Sequence, residues 1–353
     1  MTESNVYELS EVIEKSIQSD TGKAHVDTTR KGLTFGFEPD QETGSTEYYL
    51  ESKDLPGEKM FLSPYGWRQF WTSLCTYPLA GVDSRRISEP LIRKIALERI
   101  QNQRDMNLRA KTLFVDAIAR GAGAGGKKFF RGFTTAGRSD FSTTSILQAV
   151  EKSSVGSSVS VGGMPSFPDH VFHGRFQVED RKHKQGQPEV GFVLVTSEVN
   201  AAHTTLDACL SIPECSAHMI VQPMNVPLFK LAAVHKDLSA VTEVVEKALT
   251  RINDLKPEIR DHIQRSREEV INKTETAAPR YLSRFGLPRE TLGAIQKEFN
   301  TMVGTGAATP TRWGLAVAAA RVGRRHAEAV YGNAEKRVVL ETVAGSLIQT
   351  KVS

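Results

Sequence analysis

Cysteine is nearly absent, with three in 353 residues, at positions 75, 209 and 215. Three thiols cannot build a disulfide framework, and their scarcity points to a reducing, intracellular compartment. No run of about 18 apolar residues occurs, which excludes a hydrophobic membrane-spanning helix and any membrane partner that needs one. The opening stretch MTESNVYELSEV is acidic and lacks the basic-then-apolar build of a secretory signal, so a cytoplasmic chain is expected. Catalytic signatures are missing too: neither G-x-S-x-G nor H-E-x-x-H is present. No cofactor is expected, and nothing specifies a catalytic constellation.

What is present is globular composition, with 39% hydrophobic and 24% charged residues. The length fits one or two domains with a core of useful size. The net charge is +4, but it is unevenly spread. Residues 1–60 carry −7, residues 85–138 carry +9 and residues 279–353 carry +6. Basic blocks folded onto one face would attract polyanions. Scattered over solvated helix faces, they would not.

The segment 1–84 is acidic and rich in aromatic residues. It holds a helix over Tyr7–Ile17 and short strands at Leu33–Phe37 and Tyr48–Leu50. Ser63-Pro64 resembles a capped helix start. Trp67, Phe70, Trp71 and Leu74 then share one helical face, as core or as a stacking surface. Residues 85–353 form the main α+β domain, with a central antiparallel sheet packed by long helices and a helical C-terminal region. A basic helix, or two, is expected over 86–119, with Arg93, Lys94, Arg99, Arg104, Arg109 and Lys111 on its polar side. The break GAGAGG at 121–126 follows, then the strand KKFFRGF and a helix at Ser142–Val150. The strand-rich middle at 128–222 includes His170–Val178, Glu189–Val195, Thr204–Leu210 and His218–Gln222. The C-terminal part at 237–350 is helical, beginning with Asp237–Ala278, which Pro257 should kink or split.

Two glycine motifs fall short. Gly121 to Gly126 satisfies G-x-G-x-x-G, but a helix enters and a strand leaves, the reverse of the dinucleotide fingerprint. Gly121 to Lys127 also opens a P-loop, yet Lys128 stands where magnesium needs a hydroxyl. His203, Cys209, Cys215 and His218 contain only one short chelate, Cys215-x2-His218, so no metal site is expected.

Three stretches resemble a family of phage- and plasmid-borne proteins of unknown function. They are Arg131-Gly-Phe133-Thr-Thr135 with the following helix at Ile146-Leu147, Thr196-Ser197-Glu198-Val199 with Cys215 and Met219-Ile220, and Thr311-Arg-Trp313-Gly314-Leu-Ala316 with Glu341 to Ile348. The similarity covers about 128–222 and 308–349. It implies a mobile-element protein in a bacterial host cytoplasm and carries over no catalytic residue.

Backbone neutralisation with base stacking is how unspecific single strands are held. On the KKFFRGF strand, Lys127, Phe129, Arg131 and Phe133 would alternate onto one face, with Lys128 and Phe130 opposite. The expected function is therefore nucleic-acid binding in replication or recombination, with single strands favoured. The contact residues would be Lys127, Lys128, Arg131, Arg138, Phe129, Phe133, Arg109, Lys111 and Arg120. Phe129 and Phe133 could equally be buried on an edge strand that its basic residues guard. Two other readings stand: a structural protein that assembles into homo-oligomers, and a nucleotide-dependent enzyme using the loop at 121–128.

Overall fold

The computed structural model describes residues 7–40, 44–62, 64–71, 88–115, 127–135, 141–153, 159–161, 172–178, 188–199, 203–212, 217–221, 229–230, 238–329 and 334–349. The chain is of the α+β class, with two sheets and helices concentrated toward its C-terminal end.

Strand β1 (Tyr7–Glu8) leads into helix α1 (Leu9–Asp20), where a capping box between Glu8 and Glu11 satisfies the first free N–H groups. Four strands follow: β2 (Lys23–Thr29), β3 (Leu33–Pro39), β4 (Thr46–Ser52) and β5 (Lys59–Leu62). After α2 (Pro64–Gln69) and α3 (Glu89–Asn102) come β6 (Asn107–Val115) and β7 (Lys127–Thr135). These strands form a six-stranded sheet in the order β2-β6-β7-β5-β4-β3, antiparallel except for the β5–β7 pair. The sheet takes strands from both sides of the boundary expected at 84/85.

The helix expected over 86–119 stops at Asn102, and 107–115 is a strand. Its period is two: Leu108, Ala110 and Thr112 are buried while Arg109 and Lys111 face the other way. One face of the sheet packs on α2 and α3 through Phe35, Leu50, Met60, Ile92, Ala96, Phe130 and Phe133. Phe70 and Trp71 are fully enclosed there, which settles their helical stripe as core; Leu74 lies outside the described residues. Each such side chain removed from water contributes about 1.5–3 kcal/mol.

The second sheet is built from β8 (Val159–Val161), β9 (Phe172–Val178), β10 (Glu189–Thr196), β11 (Thr205–Ile212) and β12 (Ala217–Val221). With β1 at one edge and β13 (Phe229–Lys230) beside β11 it is seven-stranded and antiparallel. Helix α4 (Thr143–Lys152) is capped by Ser142 Oγ, which accepts from Ser145 N–H. The long α5 (Leu238–Glu268) runs unbroken through Pro257, because the buried stripe Val241, Val245, Ile252, Leu255, Ile259 and Ile263 outweighs the one lost hydrogen bond. It ends ten residues before the expected Ala278. Helices α6 (Ala277–Leu282), α7 (Arg289–Gly304), α8 (Arg312–Ala329) and α9 (Ala334–Gln349) complete this larger core. Gly345 brings α9 against β12, where a Cβ would lie 1.8 Å from Ile220 O. Among the described residues no helix is long and apolar enough to cross a membrane.

Candidate nucleic-acid interface

The residues expected to form the interface lie on the six-stranded sheet, mostly on the face turned away from its core. Strand β7 does not alternate as expected. A bulge shifts the β6–β7 register, so that Lys111 faces Gly132 while Thr112 faces Phe130, and the alternation changes at Arg131. Phe130 and Phe133 therefore share the core, with ring centroids 4.5 Å apart, and Phe133 is 9% exposed. Phe133 is thus not available for stacking. Phe129 and Lys127 remain on the outer face, and Arg131 points toward Glu198, which follows β10.

The pairing register makes an aromatic row across that outer face. Tyr49 of β4 stands opposite Phe61 of β5, which stands opposite Phe129 of β7. All three rings are half-buried. The Tyr49 ring lies over Gly36 of β3, where a Cβ would meet it at 2.4 Å. Tyr49 and Phe61 meet edge-on at 6.0 Å. Lys59 Nζ stands 4.7 Å above the Tyr49 ring and Lys127 Nζ stands 5.2 Å above Phe61. The KKFFRGF strand contributes one ring of this row. Tyr49 and Phe61 come from the acidic segment, and only the register brings them in.

The same register brings carboxylates to several of these cations. Lys127 donates to Asp40 at 2.7 Å and to Glu47 at 2.6 Å, and Lys128 donates to Glu58 at 2.6 Å. Arg109 Nε donates to Asp27 at 2.9 Å, and Lys59 pairs with Glu38. Partial burial pulls the Lys127 pKa down, but its hydrogen bonds to Asp40 and Glu47 outweigh that and leave it raised. The hydrogen bond from Arg109 holds Asp27 below the usual carboxylate range. Lys111 lies on this face between His25 and Gly132. Arg120 and Arg138 lie outside the described residues, as does the glycine run 121–126. Among the described residues, Lys127, Lys128 and Arg109 of the +9 segment thus each pair with a carboxylate of the −7 segment.

At the seam between the two sheets Glu198 collects three donors. Arg131 Nη2 donates at 2.9 Å, Lys23 Nζ at 3.2 Å and the Thr143 N–H that opens α4 at 3.0 Å. Burial alone would raise the Glu198 carboxyl, but Lys23 and Arg131 bring it down to about 2. Val199 packs on Gly132, where a Cβ would approach it to 2.7 Å. The segments Arg131–Thr135 and Thr196–Val199 therefore meet at this seam.

The thiol and imidazole candidates lie elsewhere. Cys209 and His218 are buried on the second sheet, beside an ion-pair cluster in which Glu341 accepts from Arg175 Nε at 2.9 Å and Arg337 Nε at 2.8 Å. Burial, then the charge of Glu341, pushes the Cys209 thiol up to about 12. Burial drives His218 down to about 3 despite Glu341. Burial thus disfavours both the Cys209 thiolate and the His218 imidazolium. His203 is exposed, and Cys215 lies outside the described residues.

Of the contact residues expected from the sequence, Lys127 and Phe129 take part in one surface patch with Tyr49, Phe61 and Lys59. No family model, no curated protein and no solved structure matches the chain.

Proposed function

We propose that this protein binds single-stranded nucleic acid without sequence preference, with bases stacking along Tyr49, Phe61 and Phe129. The observation that carries this reading is the row of three half-buried rings in register on neighbouring strands, with a lysine over each of the first two. Every base has a π-face, so such a row takes bases of any sequence. The lysines already hold carboxylates, so a phosphate must displace Asp40, Glu47 or Glu38 to reach them. Stacking therefore supplies most of the affinity, and the salt dependence is shallower than a bare basic stripe would give. The resemblance at 128–222 and 308–349 supports a phage or mobile-element protein acting in replication or recombination in the host cytoplasm.

The test is anisotropy of a labelled oligothymidine. Tyr49→Ala and Phe61→Ala should each weaken binding by about 1–3 kcal/mol with unchanged melting temperature. Binding by both variants equal to the parent protein would overturn the proposal.

A further inference from the structure

The ladder puts the lysines of the aromatic row on one side of it and their carboxylates on the other. Along β4, Tyr49 stands between Glu47 and Glu51; Lys59 is opposite Glu51, and Glu38 is opposite Glu47. Strands β5 and β7 are parallel with Phe61 level with Phe129, so Lys59 and Lys127, each two residues earlier, enter from the same side. Their partners stand beyond the row. Lys59 pairs with Glu38, and Lys127 donates to Glu47 at 2.6 Å and to Asp40 at 2.7 Å. Each lysine therefore crosses the row to reach its carboxylate. The crossing points are the rings: Lys59 Nζ lies 4.7 Å over Tyr49, and Lys127 Nζ lies 5.2 Å over Phe61.

A stacked base and an ammonium need the same ring face. The tip of the Tyr49 ring lies against Gly36, where a Cβ would meet it at 2.4 Å, so the sheet already backs that ring. A ligand that carries only anionic groups can draw the lysines off their carboxylates, but it puts nothing on the rings they leave. A ligand that carries only flat rings must displace an ammonium held by both a π-face and a carboxylate. A polynucleotide strand makes both exchanges together: a phosphate takes the lysine, and a base takes the ring.

We propose that Lys59 and Lys127 determine the specificity of the row, as latches that admit a ligand bringing phosphate and base together and hold out polyanions without bases. Discrimination comes from what each wrong ligand leaves unpaid: bare rings in one case, a displaced ammonium in the other. The proposal rests on the row being the stacking surface.

Titrations of the full chain with three probes of equal length test the latches: oligothymidine, an abasic deoxyribose-phosphate oligomer, and a thymine peptide nucleic acid whose backbone is uncharged. The parent protein should bind oligothymidine about tenfold or more tighter than either of the other two. Lys59→Ala combined with Lys127→Ala uncovers the rings without altering them. The lysine side chains are 36% and 37% exposed, so the variant keeps the fold, which its melting temperature checks. It should bind the peptide nucleic acid about tenfold or more tighter than the parent does, and the preference for oligothymidine over that probe should fall by at least as much. Peptide nucleic acid binding that is unchanged or weaker in this variant, while Tyr49→Ala still weakens oligothymidine binding, would overturn the latches and leave the row standing. Oligothymidine binding untouched by both Tyr49→Ala and Phe61→Ala would remove the row, and the latches with it.

Discussion

Arg131 and Glu198 meet at the seam of the two sheets, with Nη2 donating to Oε2 at 2.9 Å and both side chains more than nine-tenths buried. Glu198→Gln should destabilise the protein by about 3–5 kcal/mol, because it leaves the Arg131 charge buried without its counterion. Urea unfolding measures this, and a loss below about 1 kcal/mol would show the pair to be dispensable.

Acid should act in two steps. The folded pKa of His218 lies at about 3, below the ordinary 6.5, so its contribution is complete above pH 6.5 and is lost as pH falls toward 3. Glu198, at about 2 against 4.5, contributes fully above pH 4.5 and loses this as pH falls toward 2. Unfolding free energy measured at pH 8, 5.5 and 4 should already decline between the first two. In His218→Gln that first decline should flatten; a decline of unchanged size would assign it to other groups.

Phe133 and Phe129 are four residues apart and should behave oppositely. Phe133→Ala empties a core position and should cost about 3–5 kcal/mol of stability. Phe129→Ala should leave most of the stability and weaken oligonucleotide binding by about 1–3 kcal/mol. Parallel melting and binding curves separate the two, and equal stability losses would place Phe129 in the core as well.

Asp40→Asn combined with Glu47→Gln releases Lys127 from both of its carboxylates. Oligonucleotide affinity should rise, and the slope of log K against log salt should steepen by about 0.7 if one phosphate takes their place. An unchanged slope would mean that Lys127 contacts no phosphate.

Gly345→Ala puts a methyl group where Ile220 O already lies, so α9 must lift from β12. A destabilisation of about 1–3 kcal/mol or more is expected in chemical unfolding. A neutral variant would mean that α9 shifts at no cost.

Helix stripes were the most legible part of the chain. The Trp67, Phe70 and Trp71 spacing, the apolar stripe of α5 and the Ser142 cap all reflect interactions within a few residues. Strand β6 was misread as helix, because its alternation at Leu108, Ala110 and Thr112 was hidden behind the helical pattern of Leu91 to Ile100. The bulge at Arg131 left no local mark, and a single extra residue reverses which phenylalanine is buried. The neutralisation of Lys127 was invisible for a different reason: Asp40 and Glu47 are 87 and 80 residues away. The row Tyr49–Phe61–Phe129 likewise exists only once the parallel β5–β7 register is known.

The six-stranded sheet is drawn wholly from residues 23–135, whereas α1 and β1 belong with the second sheet, whose other strands begin at Val159. The order of synthesis is therefore not the order of assembly. Leu9, Val12 and Ile13 emerge early, yet their companions Ile146, Leu147 and Val159 leave the ribosome about 140 residues later, roughly 7–28 s at ordinary elongation rates. For that interval the nascent α1 carries an unshielded apolar stripe while the smaller core, complete at residue 135, can already close behind it. Burial of that stripe therefore waits until α4 and β8 have been made.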